Sequence, residues 1–205
     1  MKNTVTPGDE LGVIEEFLEG EGVYENGEGK LRSMYTGKTF FDMVKRTANV
    51  IPVKKPKYPR PGETVFGVVT SIKPDMVILD LYGKLVVTGR NYNIEEFSGT
   101  LTGLIPINLI APEYVKDIHD YFYIVDIVIA QVTGSRNPFQ LSTKKPIHGV
   151  LYSICPNCNT PLEVVDDRTM KCPYCETTVK KKVAMIKNRD KIYVKMKRVL
   201  SFHIY

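Results

Sequence analysis

The sequence predicts a mainly β protein made of small modules: an N-terminal β domain, a five-stranded barrel and a C-terminal ribbon built on cysteine knuckles. Three observations carry this. Short β-branched runs punctuated by Gly and Pro turns recur through the first 143 residues. A stretch with four prolines divides those runs into two sets. All four cysteines fall within 21 residues, as two Cys-x-x-Cys pairs.

Residues 1–53 form the first module. Asn26-Gly27-Glu28-Gly29 supplies a turn, so Val23-Tyr24 and Leu31 to Tyr35 are expected to pair as a hairpin. Residues 54–61 are a linker. Pro52, Pro56, Pro59 and Pro61, interleaved with Lys54, Lys55, Lys57 and Arg60, fix φ and remove donors, which favours extended chain. Residues 62–146 read as strands again. Val65 to Ile72 and Met76 to Leu81 flank the turn Lys73-Pro74-Asp75; Lys84 to Thr88, Ile124 to Val132 and Phe139 to Ser142 follow. Five short strands in about eighty residues suggest a closed OB barrel, which removes exposed edges. Pro112 to Tyr121 is read as a short helix between two strands, and Phe66 with Tyr121-Phe122-Tyr123 as barrel core. Residues 150–186 are the ribbon. In 187–205, Ile192, Val194 and Met196 alternate with polar residues, which fits a strand added to the ribbon; a disordered basic arm is the alternative.

Charge is unevenly distributed. The net is −7 over residues 1–29, +8 over 30–60, −2 over 61–150 and +6 over 151–205, giving +5 for the 205 residues. An acidic start and a basic end suggest separate partners for separate modules. The composition, 43% hydrophobic and 25% charged, excludes collagen-like and wholly disordered chains. The longest apolar candidate, Tyr121 to Ala130, is broken by Asp126 and is too short for a membrane span. With no apolar stretch in Met1 to Glu16, a cytoplasmic protein is expected.

The cysteines carry the clearest chemistry. Cys155-Pro156-Asn157-Cys158 and Cys172-Pro173-Tyr174-Cys175 are separated by thirteen residues. A two-residue gap turns both thiolates of a pair toward one ion, and two pairs complete a tetrahedron. The expected cofactor is one structural Zn²⁺ per chain; iron of the rubredoxin type takes the same ligand set and stays open. Four protein thiolates leave no open position for a substrate, so the site is expected to be inert. His119, His148 and His203 are isolated from the cysteines and from one another. Glu95-Glu96 and Asp166-Asp167 are read as turn carboxylates without a partner base. No phosphate loop, serine elbow or His-Glu zinc motif is present, so no enzyme activity is predicted.

The segments Gly62-Glu63-Thr64-Val65-Phe66-Gly67-Val68-Val69, Gly103-Leu104-Ile105-Pro106 and Gln140-Leu141-Ser142-Thr143 resemble the ribosomal S-one-type OB fold. The opening Val5-Thr6-Pro7-Gly8-Asp9-Glu10-Leu11-Gly12, with Glu19-Gly20-Glu21-Gly22-Val23-Tyr24, resembles the start of the archaeal exosome cap subunit. That family combines an N-terminal β domain, an S-one-type barrel and a zinc ribbon in this order, and the resemblance covers about residues 4–180. It implies a non-catalytic cap for RNA degradation and processing. The N-terminal domain would dock on a phosphorolytic RNase PH-type ring, the barrel would surround the RNA entrance, and a bacterial-primase-like exosome subunit would be a further partner.

RNA-binding barrels of this type carry two strand aromatics, a His and an Asp/Arg pair. Here the strand reads Met76-Val77-Ile78-Leu79, Pro106 stands at the His position, and Thr133-Gly134-Ser135-Arg136-Asn137-Pro138 offers Arg136 but no Asp. Stacking contributes about 1–3 kcal/mol per base, so weak, sequence-tolerant RNA contact is expected. The candidate residues are Lys84, Arg90, Tyr92, Arg136, Lys144 and Lys145, in or beside loops. Three other readings stand beside the cap: a transcription or single-strand DNA-binding module, the regulatory chain of a metabolic enzyme, and last a stand-alone nuclease, for which no metal-binding carboxylate cluster is visible.

Overall fold

The computed structural model describes residues 4–88 and 91–201, and the chain divides into two compact units, one ending at Pro56 and the other starting at Lys57. Among the described residues no helix is long and apolar enough to cross a membrane.

The first unit holds seven short strands: β1 (Thr4–Val5), β2 (Glu10–Val13), β3 (Leu18–Glu19), β4 (Val23–Glu25), β5 (Lys30–Ser33), β6 (Gly37–Asp42) and β7 (Thr47–Pro52). They form two sheets, ordered β1-β6-β7-β3 and β2-β5-β4. The β4–β5 hairpin pairs Val23 with Ser33 and Glu25 with Leu31. Its turn is fastened by Asn26 Oδ1, which accepts from the amides of Glu28 and Lys30 at 3.1 and 3.2 Å. Val5, Val23, Leu31, Ala48 and Val50 make a small core, with Leu11, Phe17, Tyr35 and Phe41 packed on it.

The second unit is organised around a closed barrel of β8 (Thr64–Ile72), β9 (Met76–Thr88), β10 (Asn91–Pro106), β11 (Ile127–Val132) and β12 (Phe139–Ser142). Strands β8, β9 and β10 form an antiparallel meander. β12 lies parallel to β10 through Gly103↔Phe139 and antiparallel to β11 through Gln131↔Ser142, and β11 returns to β8. The ring therefore has no free edge. Every second side chain of β9 points inward, so Val77, Leu79 and Leu81 are buried with Val65, Val69, Ile105 and Leu141. Gly103 is required where β10 meets β12, because a Cβ there would lie 2.7 Å from Leu141 Cδ1.

A sixth strand, β13 (Gly149–Tyr152), pairs with the outer edge of β11 and leads into a three-stranded ribbon, β14 (Glu163–Val164), β15 (Thr169–Lys171) and β16 (Thr178–Lys180). Gly149 adopts φ +140°, and a Cβ would collide with the Lys182 carbonyl. Leu162, Met170 and Val179 of the ribbon belong to the same buried cluster as the barrel interior. The ribbon thus shares the barrel's core. It does not carry a separate one.

Several local expectations are corrected. Lys84 to Thr88 is the continuation of the long strand β9, whose partner is the sixteen-residue β10. Glu95 and Glu96 sit on β10, paired with Lys84 and Gly83, and not in a turn. Pro112 to Tyr121 is not a helix; only Ile118–Asp120 makes a 3-10 turn, with Asp117 capping the His119 amide at 2.9 Å. Ile124 precedes its strand, because Val125 takes φ 73° and β11 starts at Ile127. Residues Arg189–Ser201 form an α-helix, α1, not a strand or a disordered arm. Its face Ile192, Met196, Val199 and Leu200 covers the outside of the barrel over Phe66, Tyr82, Leu85, Ile127, Ile129 and Leu151. Phe66 is therefore buried beneath α1 and lies outside the barrel interior, whereas Phe122 is part of the barrel core. The Arg189 guanidinium fastens the helix start, donating to the carbonyls of Leu151 at 2.7 Å, Val150 at 2.8 Å and Ala184 at 3.1 Å.

Candidate metal centre and nucleic-acid surface

Two chain segments of the same design hold the cysteines. In the first, the Cys155 amide donates to Thr160 O at 2.8 Å and the Asn159 amide to Cys155 O at 2.9 Å; Asn159 has φ 56°. In the second, the Cys172 amide donates to Thr177 O at 2.9 Å and the Glu176 amide to Cys172 O at 3.1 Å; Glu176 has φ 58°. Both are Cys-Pro-x-Cys-x-Thr, and the threonine hydroxyl returns to the second thiol of each pair: Thr160 Oγ1 is 3.3 Å from Cys158 Sγ and Thr177 Oγ1 is 3.1 Å from Cys175 Sγ. The Thr177 contacts hold the Cys175 thiol down, to about 6, and those of Thr160 lower Cys158. The repeated threonine is a functional signal missed in the Cys-x-x-Cys spacing, and comparing the two pairs residue by residue would have found it.

All four Sγ atoms lie within 4.8 Å of one another, with separations of 3.4 to 3.5 Å for Cys158–Cys172, Cys158–Cys175 and Cys155–Cys175. Four sulfurs placed about 2.3 Å from one ion at tetrahedral corners would stand about 3.8 Å apart. The four cysteines can therefore hold a metal ion with little rearrangement. Cys155 and Cys172 are fully buried, so a bound ion would be shielded from water on that side.

Beside the ribbon, a buried ion pair ties it to the barrel. Lys181 Nζ donates to Asp126 Oδ2 at 2.6 Å, with both side chains at most 1% exposed, and lies 3.4 Å from the centre of the Tyr123 ring. Asp126 also accepts from the Tyr123 amide at 2.7 Å. Burial pushes the Asp126 carboxyl up and the Lys181 ammonium down, to about 8, against the mutual attraction of the pair.

His148 is also buried. Its Nε2 is 3.3 Å from Thr64 Oγ1, and among the described residues its Nδ1 has no partner. Burial, with Lys145 and Lys182 adding to it, lowers its pKa to about 4. The folded value lies below the ordinary 6.5, so the unfolded chain binds more protons between these values and stability rises with pH there. The contribution is complete above about pH 6.5 and is lost as pH falls toward 4; by pH 5 roughly 2 kcal/mol should be gone. Urea unfolding at pH 7 and pH 5 is expected to show this loss in the parent protein and not in His148→Gln. Equal pH dependence in both would refute it.

The predicted RNA contacts are dispersed. Lys84 is half-buried and already held by Glu63 at 2.6 Å and Glu95 at 3.4 Å. Tyr92 packs partly against the α1 cluster, and its carbonyl accepts from Lys195 Nζ at 2.8 Å. Arg136 is exposed in the turn between β11 and β12. Lys144 and Lys145 are exposed in the crossover from β12 to β13, where Lys144 borders a cleft with Arg168 and Lys182 of the ribbon. Arg90 lies outside the described residues. Ile78, in the strand segment Met76 to Leu79 that lacks base-stacking rings, is a half-buried aliphatic paired with Leu104 of β10.

Residues 4–39 match the family described as "Exosome complex exonuclease RRP4 N-terminal region". The chain is 32% identical over 181 residues to the exosome complex component Csl4 of Archaeoglobus fulgidus, a match covering 88% of this chain and 94% of that protein. Among solved structures, the intact alpha subunit of aIF2 from Pyrococcus abyssi aligns at a TM-score of 0.33 and 23% identity over 44% of this chain. The chain spans 31% of that subunit's length, and so weak a likeness carries no argument.

Proposed function

Because the chain belongs to the family of exosome complex component Csl4, we propose that it is a non-catalytic cap subunit that docks on a phosphorolytic RNase PH-type ring and guides RNA toward the ring's entrance for 3'-to-5' degradation or processing. The observation that carries this reading is the extent of the match, nearly the whole of both chains, together with the N-terminal family region at residues 4–39. The first unit, with its acidic start, is the proposed docking piece. Its β6–β7 turn leaves Met43 and Val44 exposed, the kind of apolar tip that a partner subunit covers.

In this reading the four cysteines hold one structural Zn²⁺, which cross-links the two knuckles and supplies no reaction chemistry. RNA contact is electrostatic and sequence-tolerant, through exposed cations such as Arg136, Lys144 and Lys145, with Lys84, Arg90 and Tyr92 as the remaining proposed contacts. A bacterial-primase-like subunit is a further proposed partner.

A pull-down from native cell extract at moderate salt, followed by mass spectrometry, tests the assignment. Recovery of phosphorolytic ring subunits is expected. Recovery of an RNA polymerase or a metabolic enzyme in their place would discard it. The purified protein alone is expected to leave RNA intact.

A further inference from the structure

Barrel and ribbon meet at a cleft of about 200 Å³. Glu113 and Tyr121 enter it from the barrel loop after β10, Lys144 from the β12–β13 crossover, Arg168 from the β14–β15 turn, and Lys182 from the segment after β16. Arg168 Nη2 is spent on Glu113 at 2.6 Å. Lys181, on the same wall, is spent on Asp126. Among the described residues the ammonium groups of Lys144 and Lys182 have neither a hydrogen-bond nor an ion-pair partner.

Lys182 is the more informative of the two. Its backbone is clamped, the amide donating to Tyr121 O at 3.0 Å and the carbonyl accepting from the Val150 amide at 2.6 Å, so the root of the side chain is fixed to the seam. The side chain is half-buried, and burial lowers its pKa below the ordinary lysine value despite the nearby Glu113 and Asp167. A half-desolvated ammonium without a direct partner is a costly arrangement that an anion would relieve.

We propose that this cleft grips a backbone phosphate of single-stranded RNA between Lys182 and Lys144. The proposal rests on the RNA-binding reading above. The space is several times the ~30 Å³ share of one water, enough for a phosphate group. Tyr121 is the one aromatic ring among its lining residues, so the cleft offers charge and little surface on which a base could stack. Such a contact positions a strand without reading its sequence. It would supply affinity that a barrel without stacking rings lacks.

The test is fluorescence anisotropy of a labelled uridine oligomer of about 15 nucleotides across a salt series, with the full chain. Replacing both residues, Lys182→Gln with Lys144→Gln, is expected to weaken binding about tenfold at moderate salt. It should also reduce the slope of log K against log salt by about 1.4, since each single-strand phosphate contact contributes about 0.7. Lys182→Arg, which keeps the charge, should keep the slope. A control pair on the exposed face of α1, Lys191→Gln with Lys197→Gln, removes the same charge and should change the slope less. Unchanged circular dichroism and metal content establish that the variants fold. If the cleft variant binds as the parent does, or the control pair loses as much, the cleft is overturned and the RNA reading stands. If the parent itself binds no RNA, both fall. Displacement of the oligomer by millimolar inorganic phosphate at fixed ionic strength would assign the cleft to a free anion and overturn the polynucleotide contact.

Discussion

Cys172→Ser, or removal of the metal by a strong chelator, is expected to unfold the ribbon and to destabilise the barrel with it. Metal binding supplies about 10–16 kcal/mol to small structural zinc modules, and β14 and β15 are only two and three residues long. Without the ion, thiol contacts of 3.4 to 3.5 Å between the two pairs (Cys158 with Cys172 and Cys175, Cys155 with Cys175) hold the knuckles only weakly. Leu162, Met170 and Val179 would then leave a cluster that also contains Val65, Leu79 and Ile105. Damage should therefore spread into the barrel. Elemental analysis should give one zinc per chain, and visible absorbance would reveal iron if iron were bound. A melting curve unmoved by chelation would show that the core, and not the metal, holds the ribbon.

Lys181→Met is expected to cost about 3–5 kcal/mol, the penalty for leaving a buried carboxylate unpaired. Asp126 is 1% exposed, and without Lys181 it keeps the Tyr123 amide at 2.7 Å and a hydrogen bond from the Ser153 side chain, neither of which carries a positive charge. The double change Lys181→Met with Asp126→Asn removes the orphaned charge while keeping an acceptor for that amide. It should recover much of the loss. Chemical denaturation of the two singles and the double gives the coupling. A Lys181→Met midpoint indistinguishable from that of the parent would show that water or another group reaches Asp126.

The features legible in the sequence are those set by neighbours in the chain. The knuckles follow from two-residue cysteine spacing, and the β4–β5 hairpin from Asn26-Gly27-Glu28-Gly29. Long-range pairing erased other signals. Gly83 looks like a strand breaker, yet it lets β9 run on: a Cβ there would lie 2.6 Å from Glu95 O, so glycine permits the close approach of β10. Helix α1 was disguised because Ile192, Val194 and Met196 mimic a period of two. The spacing that decides is Ile192, Met196, Val199 and Leu200, at i, i+4, i+7 and i+8, with Val194 left 53% exposed. The seam cleft was illegible for a plainer reason. Lys144, Arg168 and Lys182 come from segments distant in sequence, and only the shared core of barrel and ribbon brings them to one place.

The position of α1 also bears on how the protein is made. Synthesis proceeds from the N terminus, and every strand that α1 covers precedes it in the chain. Until residues 189–201 emerge, Phe66, Ile129 and Leu151 present an uncovered apolar face on an otherwise closed barrel. The nascent chain therefore passes through a stage that is sticky by construction. The Arg189 guanidinium, reaching back to carbonyls of β13, is the latch that ends it.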